Sequence, residues 1–158
     1  MLTRREMLCA AGAAALTAGA FALADRGPVL GSVAIDWNSV PAKPTGSGSV
    51  RTFFRSRTAT LDELEVHVTT LNPGQAPHPP HRHPNEEMLI VKQGRIEALV
   101  NGEWKSVGPG SVVFLASNQW HGVRNSGNVP AVYHVIGFKT DKTPVEPPRP
   151  QPVGATAK

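Results

Sequence analysis

The sequence predicts an all-β fold, a closed or sandwiched antiparallel barrel in a single domain. The chain has 158 residues, and its hydrophobic fraction of 40% is sufficient for one core. Glycine and proline number 15 each, which is typical of short strands joined by tight turns. About eight segments have strand length and short spacing; they span residues 50–58, 61–71, 88–91, 96–100, 103–107, 111–116, 119–125 and 131–138.

The N-terminus, residues 1–24, has the pattern of a signal peptide. Arg4 and Arg5 precede an Ala/Gly-rich apolar run that ends at 22–24 in a small-x-small cleavage site, and the paired arginines resemble a twin-arginine export signal. The alternative is an uncleaved membrane anchor or an amphipathic first helix, but the run is weakly apolar and has no charge on its far side. We therefore expect cleavage, export to the periplasm or the medium, and no membrane contact afterwards. Cleavage would remove Cys9, the only cysteine, and with it any disulfide or thiol ligand.

The segments after the cleavage site divide into a lead-in, a barrel and a tail. Residues 25–49 contain Trp37 and a Pro/Gly/Ser-rich stretch, which predicts a loop or a lead-in strand. The barrel is expected at 50–140. Within it, Asn101-Gly102 is the clearest hairpin signal, because this pair accepts positive φ at both central positions of a turn. Residues 141–158 are rich in proline and predict an extended, disordered arm.

One barrel segment, 61–71, alternates between apolar and polar residues over its central positions 64–69. Leu64, Val66 and Val68 share one face, and Glu65, His67 and Thr69 share the other, so the period of two predicts a half-buried strand.

The charge distribution argues against nucleic acid as a partner. The formal net charge is +4, but the lysines and arginines are scattered and form no stripe with aromatic residues. We expect a small-molecule ligand or substrate instead.

The chemistry of the chain is concentrated in His81, His83 and Glu87. These positions have the same parity, so an extended backbone would direct all three side chains to one face, which Leu89 and Val91 continue as an apolar wall. A fourth candidate ligand, His121, must come from another strand. Each element alone has a simpler explanation, such as a surface His-x-His pair, a solvated strand end or a turn histidine. Their combination within one barrel predicts a metal site.

Three imidazoles and a carboxylate suit one divalent first-row metal ion. At six-coordination they leave two positions for water, substrate or dioxygen, and Mn, Fe, Zn, Ni and Cu all remain compatible. A twin-arginine signal implies folding before export, so that the metal is selected in the cytoplasm. This favours Fe or Mn.

These residues resemble the two motifs of the cupin superfamily. The first motif, a glycine, then His-x-His, Glu and Gly, is matched with its leading glycine one residue early; the second is matched with Ala116 for the usual proline and Asn118 for the usual glycine. The matching residues are Gly74, His81, His83, Glu87 and Gly94 in the first, and Gly110, His121 and Asn125 in the second. Asn tolerates left-handed geometry, so the turn at Asn118 is expected to persist.

The resemblance covers about residues 50–138 and implies a double-stranded β-helix, or jelly roll, with a four-ligand metal site. It implies no single reaction, since cupins include dioxygenases, isomerases, decarboxylases, storage proteins and sugar-binding regulatory modules. Small cupins of this kind commonly pair as homodimers through sheet edges, and the strand with Phe53 and Phe54 is the candidate edge.

We expect a metal-dependent, dioxygenase-type enzyme that acts on a small organic molecule. His134 shares parity with Val132, Ile136 and Phe138, and if that face is interior, His134 is a candidate acid or base near the metal. Otherwise it is a core histidine bonded to a neighbouring strand. The alternatives for the whole protein are a non-catalytic metal- or ligand-binding cupin, and a metal-assisted isomerase or hydrolytic enzyme.

Overall fold

The computed structural model describes residues 28–145, and these residues form strands with almost no helix. The predicted signal peptide and residues 146–158 of the predicted tail lie outside the described residues. After a single 3₁₀ turn at Trp37–Ser39 the strands follow in chain order: β1 Lys43–Thr45, β2 Gly48–Ser56, β3 Glu63–Leu71, β4 Glu86–Gln93, β5 Ile96–Val100, β6 Glu103–Val107, β7 Val112–Leu115, β8 Gly122–Arg124 and β9 Ala131–Lys139.

These strands form two facing antiparallel sheets. The larger sheet has the order β1-β2-β3-β9-β4-β7 and the smaller has the order β6-β5-β8. Apolar side chains from both sheets meet in one core, which includes Leu89 and Tyr133 from the larger sheet and Ile96 and Val123 from the smaller. The predicted all-β antiparallel fold with one core is therefore confirmed.

The hairpin β5–β6 has the turn that the sequence predicts. Asn101 and Gly102 have φ values of 53° and 80°, and the two strands pair without interruption from Ile96–Val107 to Val100–Glu103. Gly94 ends β4 with a φ of 72°, and a Cβ atom there would lie 2.6 Å from the carbonyl oxygen of Pro130. A side chain at that position would therefore collide with the backbone entering β9.

The register of the larger sheet decides which face of each strand points inward. In β9 the inward residues are Ala131, Tyr133 and Val135, all of them in the core. Thr69 pairs with Tyr133, and His67 pairs with Val135, so the polar face of β3 is its inward face. The alternation within β3 was predicted correctly, but its apolar residues lie on the outside of the barrel.

The chain before β1 covers part of this outer apolar face. Leu30 donates its backbone N–H to the carbonyl oxygen of Arg57 at 2.8 Å, which holds the segment against the sheet. Further along, Val33 and Ile35 line a cavity of about 220 Å³ together with three apolar side chains of the sheet, Phe53, Phe54 and Val66. Both faces of β3 are thus packed: Val68 on the outer face is 1% exposed.

Among residues 28–145, no helix is long and apolar enough to cross a membrane.

Candidate metal centre

His81 and His121 are brought together by backbone pairing. Each donates its N–H to the carbonyl oxygen of the other at 2.9 Å, in an isolated antiparallel bridge outside the strands. Asn118 donates its N–H to the carbonyl oxygen of His83 at 2.8 Å, and its φ of 58° makes the turn that directs the chain towards His121. The expectation that Asn118 takes left-handed geometry is confirmed.

The imidazoles of His81, His83 and His121 converge at one point. One ligand atom from each lies within 4.8 Å of the other two, and the ring centroids are 5.1 Å (81–83), 4.6 Å (81–121) and 4.7 Å (83–121) apart. The sequence predicted that His121 would join the His-x-His pair from a separate strand, and the structure places it there.

Two of the rings are held in the tautomer that a metal requires. The Nδ1 of His83 lies 2.9 Å from the carbonyl oxygen of Asn85, and the Nδ1 of His121 lies 2.9 Å from that of Gln119. A carbonyl oxygen can only accept, so each Nδ1 carries a hydrogen and Nε2 is the nitrogen that is left to bind a metal.

Two buried nitrogen atoms in this cluster have no hydrogen-bond partner among the described residues. They are Nδ1 of His81 and Nε2 of His121. Buried polar atoms are nearly always paired, since an unpaired one costs about 1–3 kcal/mol. A divalent cation between the rings would satisfy these atoms, so the residues present fit a metal ion.

Glu87 adds a carboxylate to the cluster. Its Oε1 lies 3.3 Å from Nε2 of His83. Burial alone would raise the pKa of Glu87, but the hydrogen bond and charge of His83 hold it below its usual value. The same hydrogen bond raises the pKa of His83. His83 and Glu87 therefore form an ion pair, in which a metal would replace the proton on Nε2 of His83.

The pKa values of the two remaining imidazoles are lowered, in contrast to that of His83. Burial, followed by the nearby His78, His121 and His83, lowers the pKa of His81 to about 4. Burial also lowers the pKa of His121. Both rings are consequently neutral at pH 7, which is the form that binds a metal.

His78 lies at the edge of this cluster. Its ring centroid is 4.2 Å from that of His81, and its Nδ1 lies 3.1 Å from the carbonyl oxygen of Pro79. The ring is exposed and lies against His81.

His134 does not lie near the cluster; of its two alternatives, the interior position is not observed, and its side chain is hydrogen-bonded to the backbone of Ile90 on the neighbouring strand β4. Because Tyr133 and Val135 point into the core, His134 between them points outward. There it lines the outer cavity with Val33 and Phe54, and burial, followed by the charge of Lys92, lowers its pKa. The shared parity of 132, 134, 136 and 138 was correct, but that face is the outer one.

The interior instead contains a polar group that the sequence analysis did not identify. His67 and Glu65 point inward from β3, with Nδ1 of His67 and Oε1 of Glu65 3.0 Å apart. Next along the strand, Thr69 is hydrogen-bonded to the buried hydroxyl of Tyr133. Alternation placed His67 and Glu65 on one face, and pairing with the core residues of β9 would have shown that this face is interior.

Comparison with known proteins agrees with the fold. Residues 67–137 match the family model described as a cupin domain, a range that contains all four candidate ligands. No curated protein sequence matches.

Solved structures, one of them described as a cupin, superpose on the barrel. An RmlC-like cupin from Shewanella frigidimarina has a TM-score of 0.56 at 14% identity, covering 68% of this chain and 91% of that chain. A Klebsiella pneumoniae protein with a double-stranded β-helix domain gives 0.56 at 21%, covering 70% and 93%. The polyketide cyclase RemF from Streptomyces resistomycificus gives 0.55 at 17%, covering 68% and 79%. The described strands therefore have the cupin fold, and residues 67–137 are similar to the cupin domain family.

Proposed function

We propose that this protein is an exported, metal-dependent enzyme of the dioxygenase type that acts on a small organic molecule. The observation that carries the proposal is the convergence of His81, His83 and His121, with two buried ring nitrogens left unpaired, beside the carboxylate of Glu87. A purely structural cluster would leave neither nitrogen without a partner.

The chain's own residues would hold the metal and limit access to it. The three imidazoles supply nitrogen ligands, and Glu87 supplies an oxygen ligand from β4. When bound, a first-row divalent metal supplies Lewis-acid and redox chemistry. Leu89, Val113 and Leu115 lie on the same inward face of the sheet and are almost fully buried, which closes the centre to water from that side. The side chains of His83 and Glu87 stay partly exposed, so a small molecule can approach from the mouth.

Oxygen consumption tests this activity. Purified protein reconstituted with Fe(II), Mn(II), Ni(II) or Cu(II) is expected to take up oxygen with a phenolic or enolic substrate. His121→Gln should lose both metal and uptake, while His134→Gln, on the outer face, serves as the matched control and should retain both. Stoichiometric metal without oxygen uptake over a broad panel would refute dioxygenase activity.

Two alternatives keep the same site and differ in what they consume. A metal-assisted isomerase would convert its substrate equally well without oxygen. A non-catalytic cupin would bind a metal or a ligand without turnover, consistent with the general use of cupin domains to bind small ligands. Anaerobic incubation with product analysis separates the two.

Export and metal choice belong to the same proposal. Residues 1–24 carry the twin-arginine pattern, and folding before export would let the protein take Fe or Mn in the cytoplasm rather than Cu or Zn outside. Elemental analysis of protein recovered from the periplasm tests this. Copper or zinc as the sole stoichiometric metal would refute it.

We also propose a homodimer. β1 pairs only with the first three residues of β2, so the part of β2 that carries Phe53 and Phe54 stays at the edge of the sheet. Light scattering of the purified protein would refute the proposal if it gave the mass of one chain.

A further inference from the structure

We propose that His67, oriented by Glu65, accepts the proton of a substrate O–H group bound beside the metal centre. The substrate class is then a small molecule with an ionisable hydroxyl next to the oxygen that meets the metal, such as a catechol or an enol. The inference rests on the proposed metal site and extends it, because it assigns the proton acceptor and the substrate's reacting group.

The position of His67 follows from the register of the sheet. Glu65 pairs with Gly137, which in turn pairs with Glu87, so these residues form one row across three strands of the inner face. His67 stands in the next row, paired with Val135. Backbones two strands apart are separated by about 10 Å, so the side chains of Glu65 and Glu87 flank a gap at Gly137 on the inner face.

Gly137 keeps this gap open. A Cβ atom at this position would lie 3.9 Å from the Cβ of Glu65 and 3.9 Å from the Cγ of Glu87. The missing side chain therefore leaves room for one further carbon atom in ordinary contact between Glu65 and the carboxylate side chain of Glu87.

The imidazole of His67 is held with its acceptor atom free. Its Nδ1 lies 3.0 Å from Oε1 of Glu65, and a carboxylate can only accept from it, so Nδ1 carries the hydrogen and Nε2 carries the lone pair. The side chain of His67 is 22% exposed and that of Glu65 is 29% exposed, so a molecule from the solvent can reach both.

Other interior groups near this gap cannot take the proton equally well. Burial raises the pKa of Tyr133 well above its usual value, so its hydroxyl stays protonated. The carboxylate of Glu63 is engaged by Arg55 and Lys139 at 2.8 and 3.4 Å. The charged and titratable groups that face His67 are Glu63 and Glu65 on its own strand, Arg55 on β2, Glu87 on β4, and Tyr133 and Lys139 on β9.

The proposed step is a single proton transfer. The substrate's O–H bond breaks, its electron pair stays on the substrate oxygen, and the proton forms an N–H bond at Nε2 of His67. The resulting imidazolium is stabilised by the carboxylate of Glu65, and the substrate anion is left to bind the metal. No oxidant is needed for this step.

The test uses 4-nitrocatechol, whose visible spectrum reports its own protonation state, with metal-loaded protein of full chain length. In the wild type the bound probe should lose its second proton at lower pH than the free probe does. His67→Gln should raise the pH midpoint of the bound probe by about 1 unit. At pH values below that midpoint it should also weaken binding of the probe about tenfold. Glu65→Gln, which leaves His67 in place but removes its positioning partner, should give a smaller shift in the same direction.

The controls separate this inference from the site on which it rests. His134→Gln should bind the probe as the wild type does, and metal content should be equal in all four proteins. A wild-type pH midpoint in both His67→Gln and Glu65→Gln, with metal and probe bound, would overturn the role of His67. Failure of the metal-loaded wild type to bind the probe would instead overturn the proposed function itself. If His67→Gln does not fold, the Glu65→Gln midpoint decides the question alone.

Discussion

Substitution of Gly137 tests whether the space between Glu65 and Glu87 is where the substrate binds. Gly137→Ala places a methyl group 3.7 Å from Nδ2 of Asn85 and 3.9 Å from each of the two acidic side chains, which is ordinary contact distance. The position is buried in a strand and needs no left-handed geometry. The variant should therefore fold, and loss of glycine's backbone freedom should increase the free energy of unfolding by about 0.5–1 kcal/mol.

The same methyl group should weaken binding of a substrate analogue. One methyl in a closed site is worth about 1–3 kcal/mol, or roughly 10- to 200-fold in affinity, when it occupies space that the ligand needs. Gly137→Val should bind less still and lose about 1–3 kcal/mol of stability through overpacking.

Denaturant unfolding and a spectroscopic titration with 4-nitrocatechol measure the two effects separately. Gly31→Ala is the matched control, because a Cβ at Gly31 meets nothing within 4 Å. Wild-type affinity in Gly137→Val, with metal bound, would show that the ligand lies elsewhere.

Three further predictions concern stability and the metal. Asn125→Ala removes a buried amide that donates at 3.0 and 2.8 Å and accepts at 2.9 Å, so urea unfolding should show a loss of about 2–3 kcal/mol; a loss below about 1 kcal/mol would contradict the structural role of this motif residue. Metal at 100 times its dissociation constant should stabilise the wild type by about 2.7 kcal/mol in thermal unfolding, and this gain should vanish in His121→Ala but persist in His134→Ala. In the metal-free protein, burial lowers the pKa of His81 from 6.5 to about 4, so the folded state resists its protonation and stability should fall as the pH drops from 6.5 to 4. Because His81 is partly exposed, the loss of stability should be about 1–2 kcal/mol. The raised pKa of His83 has the opposite effect on stability over this pH range. If the stability of His81→Gln fell just as steeply with pH, the assignment of the pH dependence to His81 would be refuted.

Local signals in the sequence were sufficient to predict the fold and its hairpins. The Asn101-Gly102 turn and the alternation on both sides of it fixed β5 and β6 at the predicted bounds, because a two-residue turn sets the register of both strands. Strand ends set by longer loops differed by one to three residues, as at β8, where pairing stops at Gly122. Such ends depend on the neighbouring strand, which periodicity does not specify.

The alternation of side chains along a strand shows which residues share a face, but it does not show whether that face lies inside or outside the barrel. His81, His83 and Glu87 do lie together, but residues 84–85 form a bend before β4, so shared parity on an extended backbone is not the reason. In β9 both faces carry apolar residues: one packs in the core, and the other faces the chain around Val33. For the same reason the polar face of β3 looked like a solvent face, and His67 was missed.

The polar residues on the inner face also lower the stability of the folded chain. This supports the interpretation that they serve function rather than structure. Along β3 the inward residues change from Glu65 and His67 to Leu71, so one end of the barrel is apolar and the other holds acids and histidines. Burial lowers the pKa of two imidazoles there, which means that the folded chain opposes their protonation, and two of their nitrogens remain unpaired. A core selected for stability alone would contain apolar residues at these positions. The arrangement becomes favourable when a cation joins the imidazoles and an ionisable ligand fills the gap beside Gly137, and those are the two conditions that the proposed chemistry supplies.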